Sequence, residues 1–309
     1  MTLEPSKRRL IEVLLTTNEP LNKTSLSNLT CLCIDDLEYF KQLWSLTPVE
    51  RRRDIISQLV KLSQENFRLN FSEIFVYCLY DVDSKVRTDA ILGLSEEESY
   101  RYVAPLLAIL KKDTDEKVRE VAVKALGNFA LQGASGKFSD SIVNRIYDAL
   151  LAILDDKNMG MNIKCLALEA ISPLNLPRVR EFIAEAYNSD DINLKISALR
   201  AMGRNCDPFW LTDLRESLHA GNNEVRYESA FAIGELGCEE VLADLVKLLD
   251  DPDIRIQEAA IRGLGEVGGE RPRQVLNDLL KSPQQRIRNA AKIAIKELDF
   301  CNDPVNPSL

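Results

Sequence analysis

The sequence predicts an all-α fold, an α-solenoid of about seven to eight helix–turn–helix repeats. Three observations predict it. A short motif recurs at nearly constant spacing. Small and aliphatic residues stand at helical offsets from it. Turn-forming residues separate paired apolar stretches.

The motif is an aliphatic residue followed by a basic or amide one. It occurs at Val86-Arg87, Val118-Arg119, Ile163-Lys164, Leu194-Lys195, Val225-Arg226, Ile256-Gln257 and Ile287-Arg288, in steps of 32, 45, 31, 31, 31 and 31 residues. Four residues after each anchor stand Ala90, Ala122, Ala167, Ala198, Ser229, Ala260 and Ala291. Seven after it stand Gly93, Ala125, Ala170, Ala201, Ala232, Gly263 and Ala294, and eight after it Leu94, Leu126, Ile171, Met202, Ile233, Leu264 and Ile295. Offsets 0, 4, 7 and 8 share one face of an α-helix, so the anchor opens a helix whose small residues admit a close neighbour.

A second apolar stretch precedes each anchor, as in Pro105–Leu110 and Val241–Leu249. Between the two lie Asp81–Ser84, Asp113–Asp115, Asp190-Asp191, Gly221–Asn223 and Asp251–Asp253, whose Asp and Asn side chains suit the N-cap of the following helix. Gly237 and Gly268 fall where a C-cap glycine would end it. Pro208, Pro252, Pro272 and Pro283 fall between helices. A unit of this length cannot bury its apolar stripe alone, and stacking supplies the core.

Three domains are expected: an N-terminal helical cap with a degenerate first repeat over 1–70, the array over 71–298, and a disordered tail over 299–309. In the cap, Asp35–Leu46 reads as an amphipathic helix, and Thr47–Glu50 as a capping box opening a helix from Val49 to about Glu65. The degenerate anchor is placed at Ile55, with Leu59 and Leu62 on its face. Residues 18–34 read as a loop, and Arg51–Arg53 as a solvated helix face with a phosphate contact as the alternative. The long step before Ile163 places an insertion near Phe129–Ser141, as a loop, a lengthened helix end or a partner-binding loop.

The string from Asp251 to Ala260 leading to Gly263-Leu264-Gly265 resembles the HEAT-like repeats first named for the phycobilisome lyase proteins. The resemblance covers roughly residues 70–298 and implies architecture more than activity. It also implies that the helix opened by each anchor lines the concave face. On that face, offsets 6 and 10 give alternating charge, and the candidate partner-binding residues are Arg200, Arg204, Tyr227, Phe231, Glu235, Arg262 and Glu266. One reading is a ladder of ion pairs between stacked helices. The other is a recognition groove anchored by Arg200, Tyr227 and Phe231, expected as exposed, since aromatic and Arg side chains dominate interface energetics.

Composition narrows the function. A net charge of −9 and pI about 5.0 do not supply the basic face of a nucleic-acid binder. Seven scattered cysteines suit a reducing cytoplasm better than a disulfide framework. The first fifteen residues lack the long apolar run of a leader, and no stretch reaches the roughly 18 apolar residues of a membrane span. Two enzyme families share the repeat. Deoxyhypusine hydroxylases hold two irons with repeated His-Glu pairs, whereas this chain has one histidine, His219. Enzymes that hold alkylated DNA use a basic groove, which the charge opposes. Cys31-Leu32-Cys33 lacks the second pair of a zinc site. The glycines of Gly263–Gly268 fall in the repeat columns, not in a nucleotide loop. The expectation is a non-enzymatic scaffold that binds a protein, with no metal or cofactor and no nucleic-acid or membrane partner. The alternative is a bilin or other small-molecule lyase or chaperone of the phycobilisome-lyase type. The residue after each anchor is expected to bond turn carboxylates and link repeats.

Overall fold

The structure, a computed structural model, describes residues 7–17, 19–95 and 97–301. Of the expected tail, residues 299–301 belong to the last helix and 302–309 lie outside the described residues, as do residues 1–6 of the segment read for a leader. The fold is an all-helical solenoid, with helices in two compact units, Met1–Asp156 and Lys157–Leu309.

The first unit contains α1 (Lys7–Thr16), α2 (Lys23–Ser27), α3 (Ile34–Trp44), α4 (Val49–Glu65), α5 (Ser72–Cys78), α6 (Ser84–Leu94), α7 (Val103–Lys112), α8 (Glu116–Ala134) and α9 (Asp140–Asp155). The second contains α10 (Met161–Ile171), α11 (Pro177–Tyr187), α12 (Ile192–Asn205), α13 (Leu211–Ser217), α14 (Asn223–Leu236), α15 (Leu242–Leu248), α16 (Ile254–Val267), α17 (Glu270–Leu279) and α18 (Gln285–Cys301). In the second unit, α10, α12, α14, α16 and α18 stack on one another, while α11, α13, α15 and α17 pack on the stacked helices.

The columns read from sequence are the core. Every offset-4 residue from Ala90 to Ala291 is buried, as are most of those at offsets 0, 7 and 8; Leu194, Gly93 and Ile295 are half-covered. Small residues bring α14 and α16 so close that a methyl group on Gly263 would stand 2.7 Å from the Cα of Gly234.

The turns cap as their residues dictate. Asp83 accepts from the Val86 amide, Asp115 from Lys117 and Val118, Asp191 from Asn193 and Leu194, Asn222 from Glu224 and Val225, and Asp253 from Arg255. Gly237 ends α14 at φ 59° and Gly268 ends α16 at φ 66°. At the matching end of α12 stands Cys206, held at φ 51°.

Several expectations are corrected. Residues 18–34 contain α2, capped by the Asn22 side chain. The capping box does not form: Pro48 is the N-cap, and the Thr47 hydroxyl donates back to the Leu43 carbonyl at 2.9 Å. For the insertion, the lengthened helix end is the alternative that forms, with α8 running 19 residues to Ala134. Of Arg51–Arg53, Arg51 and Arg52 are half-buried and engaged, while Arg53 is exposed as expected and carries a surface ion pair. Arg51 donates to the carbonyls of Leu14 (2.9 Å) and Glu19 (2.7 Å), Arg52 pairs with Asp81 (3.1 Å), and Arg53 with Asp83 (2.6 Å). Arg52 lies four residues after its cap, as Arg87 does, so the degenerate anchor stands at Arg51, one turn before Ile55. Ile55, Leu59 and Leu62 are buried as expected, because a one-turn shift keeps the same face inward.

Candidate functional site

The seven candidate residues occupy three consecutive stacked helices of the second unit: Arg200 and Arg204 on α12, Tyr227, Phe231 and Glu235 on α14, Arg262 and Glu266 on α16. Helical offsets 6 and 10, and offset 2 for Tyr227, place them there because offsets 0, 4, 7 and 8 are spent on the core.

At the centre, the Tyr227 and Phe231 rings lie tilted with centroids 6.3 Å apart. They are half-buried rather than exposed, because the next helix lays arginines over them. The Arg262 guanidinium stands 4.2 Å from the Phe231 centroid and Arg255 stands 5.5 Å from Tyr227. Arg255 is fixed between Glu224 (2.7 Å) and Asp253 (2.9 Å).

Around the rings runs a ladder of charges between repeats. Arg200 bridges Glu169 on α10 (3.4 Å) and Glu228 on α14, and the Glu228 hydrogen bond raises the guanidinium pKa further. Glu169 and Glu228 are almost fully covered, at 8% and 6% exposure, and Arg200 supplies a cation to both. Ser197 donates to Glu169 as well (2.9 Å). Arg204 lies 3.8 Å from Glu169 and donates to its carbonyl. Arg286 on α18 forks onto Glu258 on α16, at 2.8 and 2.7 Å.

Glu235 differs. Burial pushes its carboxyl pKa up, opposed by the charges of Arg262 and Arg204, with Glu266 and Glu228 adding to the rise. Arg262 pairs only loosely with Glu266, at 3.7 Å. The furrow lined by Phe231, Gly234, Glu235, Ala259, Arg262 and Glu266 encloses about 0 Å³. Between α14 and α16 the face is therefore closed by Arg262 lying on Phe231, with an aromatic and cationic centre.

Sequence reasoning missed Glu228 as the partner of Arg200. Its signal was offset 3 on the next helix, opposite offset 6. The residue after the anchor ties to the turn at Arg87, Arg226, Gln257 and Arg288, but not at Arg119, whose Nε is buried without an acceptor. Arg87 forks onto Asp113 in the next turn (2.7 and 2.8 Å) and donates to the carbonyls of Asp81 and Val82. Arg226 and Arg288 make the same backward bonds, to Ala220 and Gly221, and to Ser282 and Pro283. His219 is exposed at the end of α13, beside a recess of about 350 Å³ that includes Arg215, Asp244 and Asp251. Among the described residues, no three His, Cys, Asp or Glu side chains converge as a metal site, and no helix is long and apolar enough to cross a membrane.

Residues 211–296 match the HEAT repeats family. No curated protein matches the chain in sequence. Among solved structures, the complex of CpcE and CpcF of phycocyanin lyase from Nostoc sp. PCC7120 is similar, at 18% identity and TM-score 0.53, over 76% of this chain and 90% of that one. Kap95p, solved with RanGDP, aligns at 14% identity and TM-score 0.52, over 94% of this chain and 45% of Kap95p. Importin beta aligns at 15% identity and TM-score 0.50, over 94% and 43%. At these identities the likeness is one of fold. The matched segment, residues 211–296, carries HEAT repeats, and the repeat columns that begin at Val86 continue the same pattern up to it, in an α-solenoid fold shared with these neighbours.

Proposed function

We propose that this chain is a non-enzymatic cytoplasmic scaffold that holds a protein partner on the concave face formed by α12, α14 and α16. The observation that carries the reading is the gathering of Arg200, Arg204, Tyr227, Phe231, Glu235, Arg262 and Glu266 on three consecutive stacked helices, with arginines laid over the two aromatic rings. Small-molecule sites are commonly clefts of about 300–1,000 Å³ that surround their ligand, whereas a face with arginines over aromatic rings suits a polypeptide. Solved neighbours of this fold come from protein complexes, CpcE with CpcF and Kap95p with Ran, which supports a protein as the partner.

The test is capture from native lysate with the tagged chain, beside an Arg262→Glu variant that reverses a partly exposed charge. A single dominant protein, held by the wild type and lost by a variant with an unchanged melt, supports the scaffold. Retention of that protein by the variant argues against this face. The likeness to CpcE and CpcF makes bilin handling the second reading. A shift in the absorbance of added bilin, with no protein captured, favours it.

A further inference from the structure

Each stacked helix of the second unit offers two positions to the helix that follows it. Five residues after the anchor stand Leu168, Leu199, Ala230 and Ile261, all buried, as are Ile91 and Val123 in the same column of the first unit. Ile261 shares a recess with Leu279 and Ile287 of the next repeat. Nine residues after the anchor stand Ser172, Gly203, Gly234 and Gly265. The glycines are seats for a neighbouring backbone. A methyl group on Gly203 would stand 2.9 Å from the Ala232 Cα, one on Gly234 2.8 Å from the Gly263 Cα, and one on Gly265 3.2 Å from the Ala294 methyl.

The last stacked helix breaks both columns at once. In α18, offset 5 is Lys292 and offset 9 is Lys296, and both are exposed. The columns that pack back onto α16 and α17 are kept, since Ile287, Ala291, Ala294 and Leu298 are buried. So α18 carries the residues that bind it to the preceding repeat and lacks those that would receive a following one. The change is specific to one side of the helix, which a general drift toward polar residues would not produce.

The physical effect is large at each position. A helix laid over α18 would bury two ammonium groups where the array elsewhere buries apolar atoms, and an unpaired buried charge is costly. At offset 9 a lysine stem would stand where α12, α14 and α16 leave room for little more than a hydrogen, and overpacking holds the helices apart. Solenoids need a polar outer face where stacking stops.

We infer that Lys292 and Lys296 close the stack at α18, so that this face takes no further helix pair while they stand. The inference uses neither residue of the partner-binding face proposed above and is independent of it.

The test is to insert a copy of residues 268–298 directly after Leu298, with the rest of the chain kept. The copy is 31 residues long, so it continues the register of the anchors. One version keeps Lys292 and Lys296 in the original α18. The other carries Lys292→Ile and Lys296→Gly there, the residues that α16 has at the same offsets. Hydrogen exchange reads the inserted pair. Its amides are expected to exchange at least tenfold more slowly in the substituted version, with α10 to α16 equally protected in both. Equal exchange of the inserted pair in the two versions, whether fast or slow, would overturn the inference. Should glycine loosen α18, Lys292→Ala with Lys296→Ala decides in the same way, because Ala230 and Ser172 show that side chains of that size fit the two columns.

Discussion

Gly263 and Gly265 stand two residues apart on α16, and adding one methyl group to each should give opposite results. Both lie inside the helix, so Gly→Ala gains about 1 kcal/mol of helix propensity at either site. Their surroundings differ. A Cβ on Gly263 would sit 2.7 Å from the Gly234 Cα and 2.9 Å from a Leu245 methyl, where carbon atoms prefer about 3.5–4.0 Å. The obstacle is backbone, so α14 and α16 must part by roughly 1 Å, and overpacking of this kind costs about 1–3 kcal/mol. A Cβ on Gly265 would meet the Ala294 methyl and carbonyl at 3.2 Å, which a few tenths of an ångström relieve. Gly263→Ala should therefore lower stability by up to about 2 kcal/mol, while Gly265→Ala gains up to about 1 kcal/mol. Urea unfolding reads the difference, and hydrogen exchange should place the loss at α14 and α16. Equal effects from the two substitutions would refute the close approach of these helices.

Glu235 yields a pH signature. Its carboxyl pKa is raised in the fold, so its stabilising share is present below the unfolded value near 4.5 and is lost as pH rises through the folded value. Glu235→Gln should match wild type in acid and melt higher at neutral pH; a lower melt at neutral pH would contradict the burial. Cys206→Gly should stabilise by about 0.5–1 kcal/mol by relieving a left-handed residue, and Gly237→Ala should cost a similar amount at the matching position. Thermal melts of the two variants moving in the same direction would contradict this. Asn205→Ala leaves the Trp210 indole N–H without its buried acceptor at 3.0 Å and should cost about 1–3 kcal/mol, read by urea titration of Trp fluorescence.

The core was legible because each repeat restates it. Ala122, Ala198 and Ala260 recur at one offset, and nothing but a buried helix seam needs a small residue there so regularly. The turns were legible because Asp83, Asp115 and Asp253 act on amides two or three residues away. What escaped depends on partners distant in sequence. Arg52 resembles a solvated cation until Asp81 is brought beside it. Tyr227 and Phe231 read as exposed because the arginines covering them are 28 and 31 residues further along the chain. In the candidate site, sequence chose the face, but which charges are spent within it depended on how adjacent helices are set. Arg200 is committed on both sides, whereas Arg262 is held only by a ring and one loose carboxylate.

Arg87, Arg226, Gln257 and Arg288 each return to a carbonyl six residues behind them. That bond begins and ends inside one repeat, so it survives wherever the repeat is moved. A duplication or deletion of 31 residues starting between the helix pairs would carry cap, turn and staple as one cassette and leave only the stacking contacts to be remade. Lengthening such an array asks for no new local invention. The four equal steps from Ile163 to Ile287 have the form that copying such a cassette would leave.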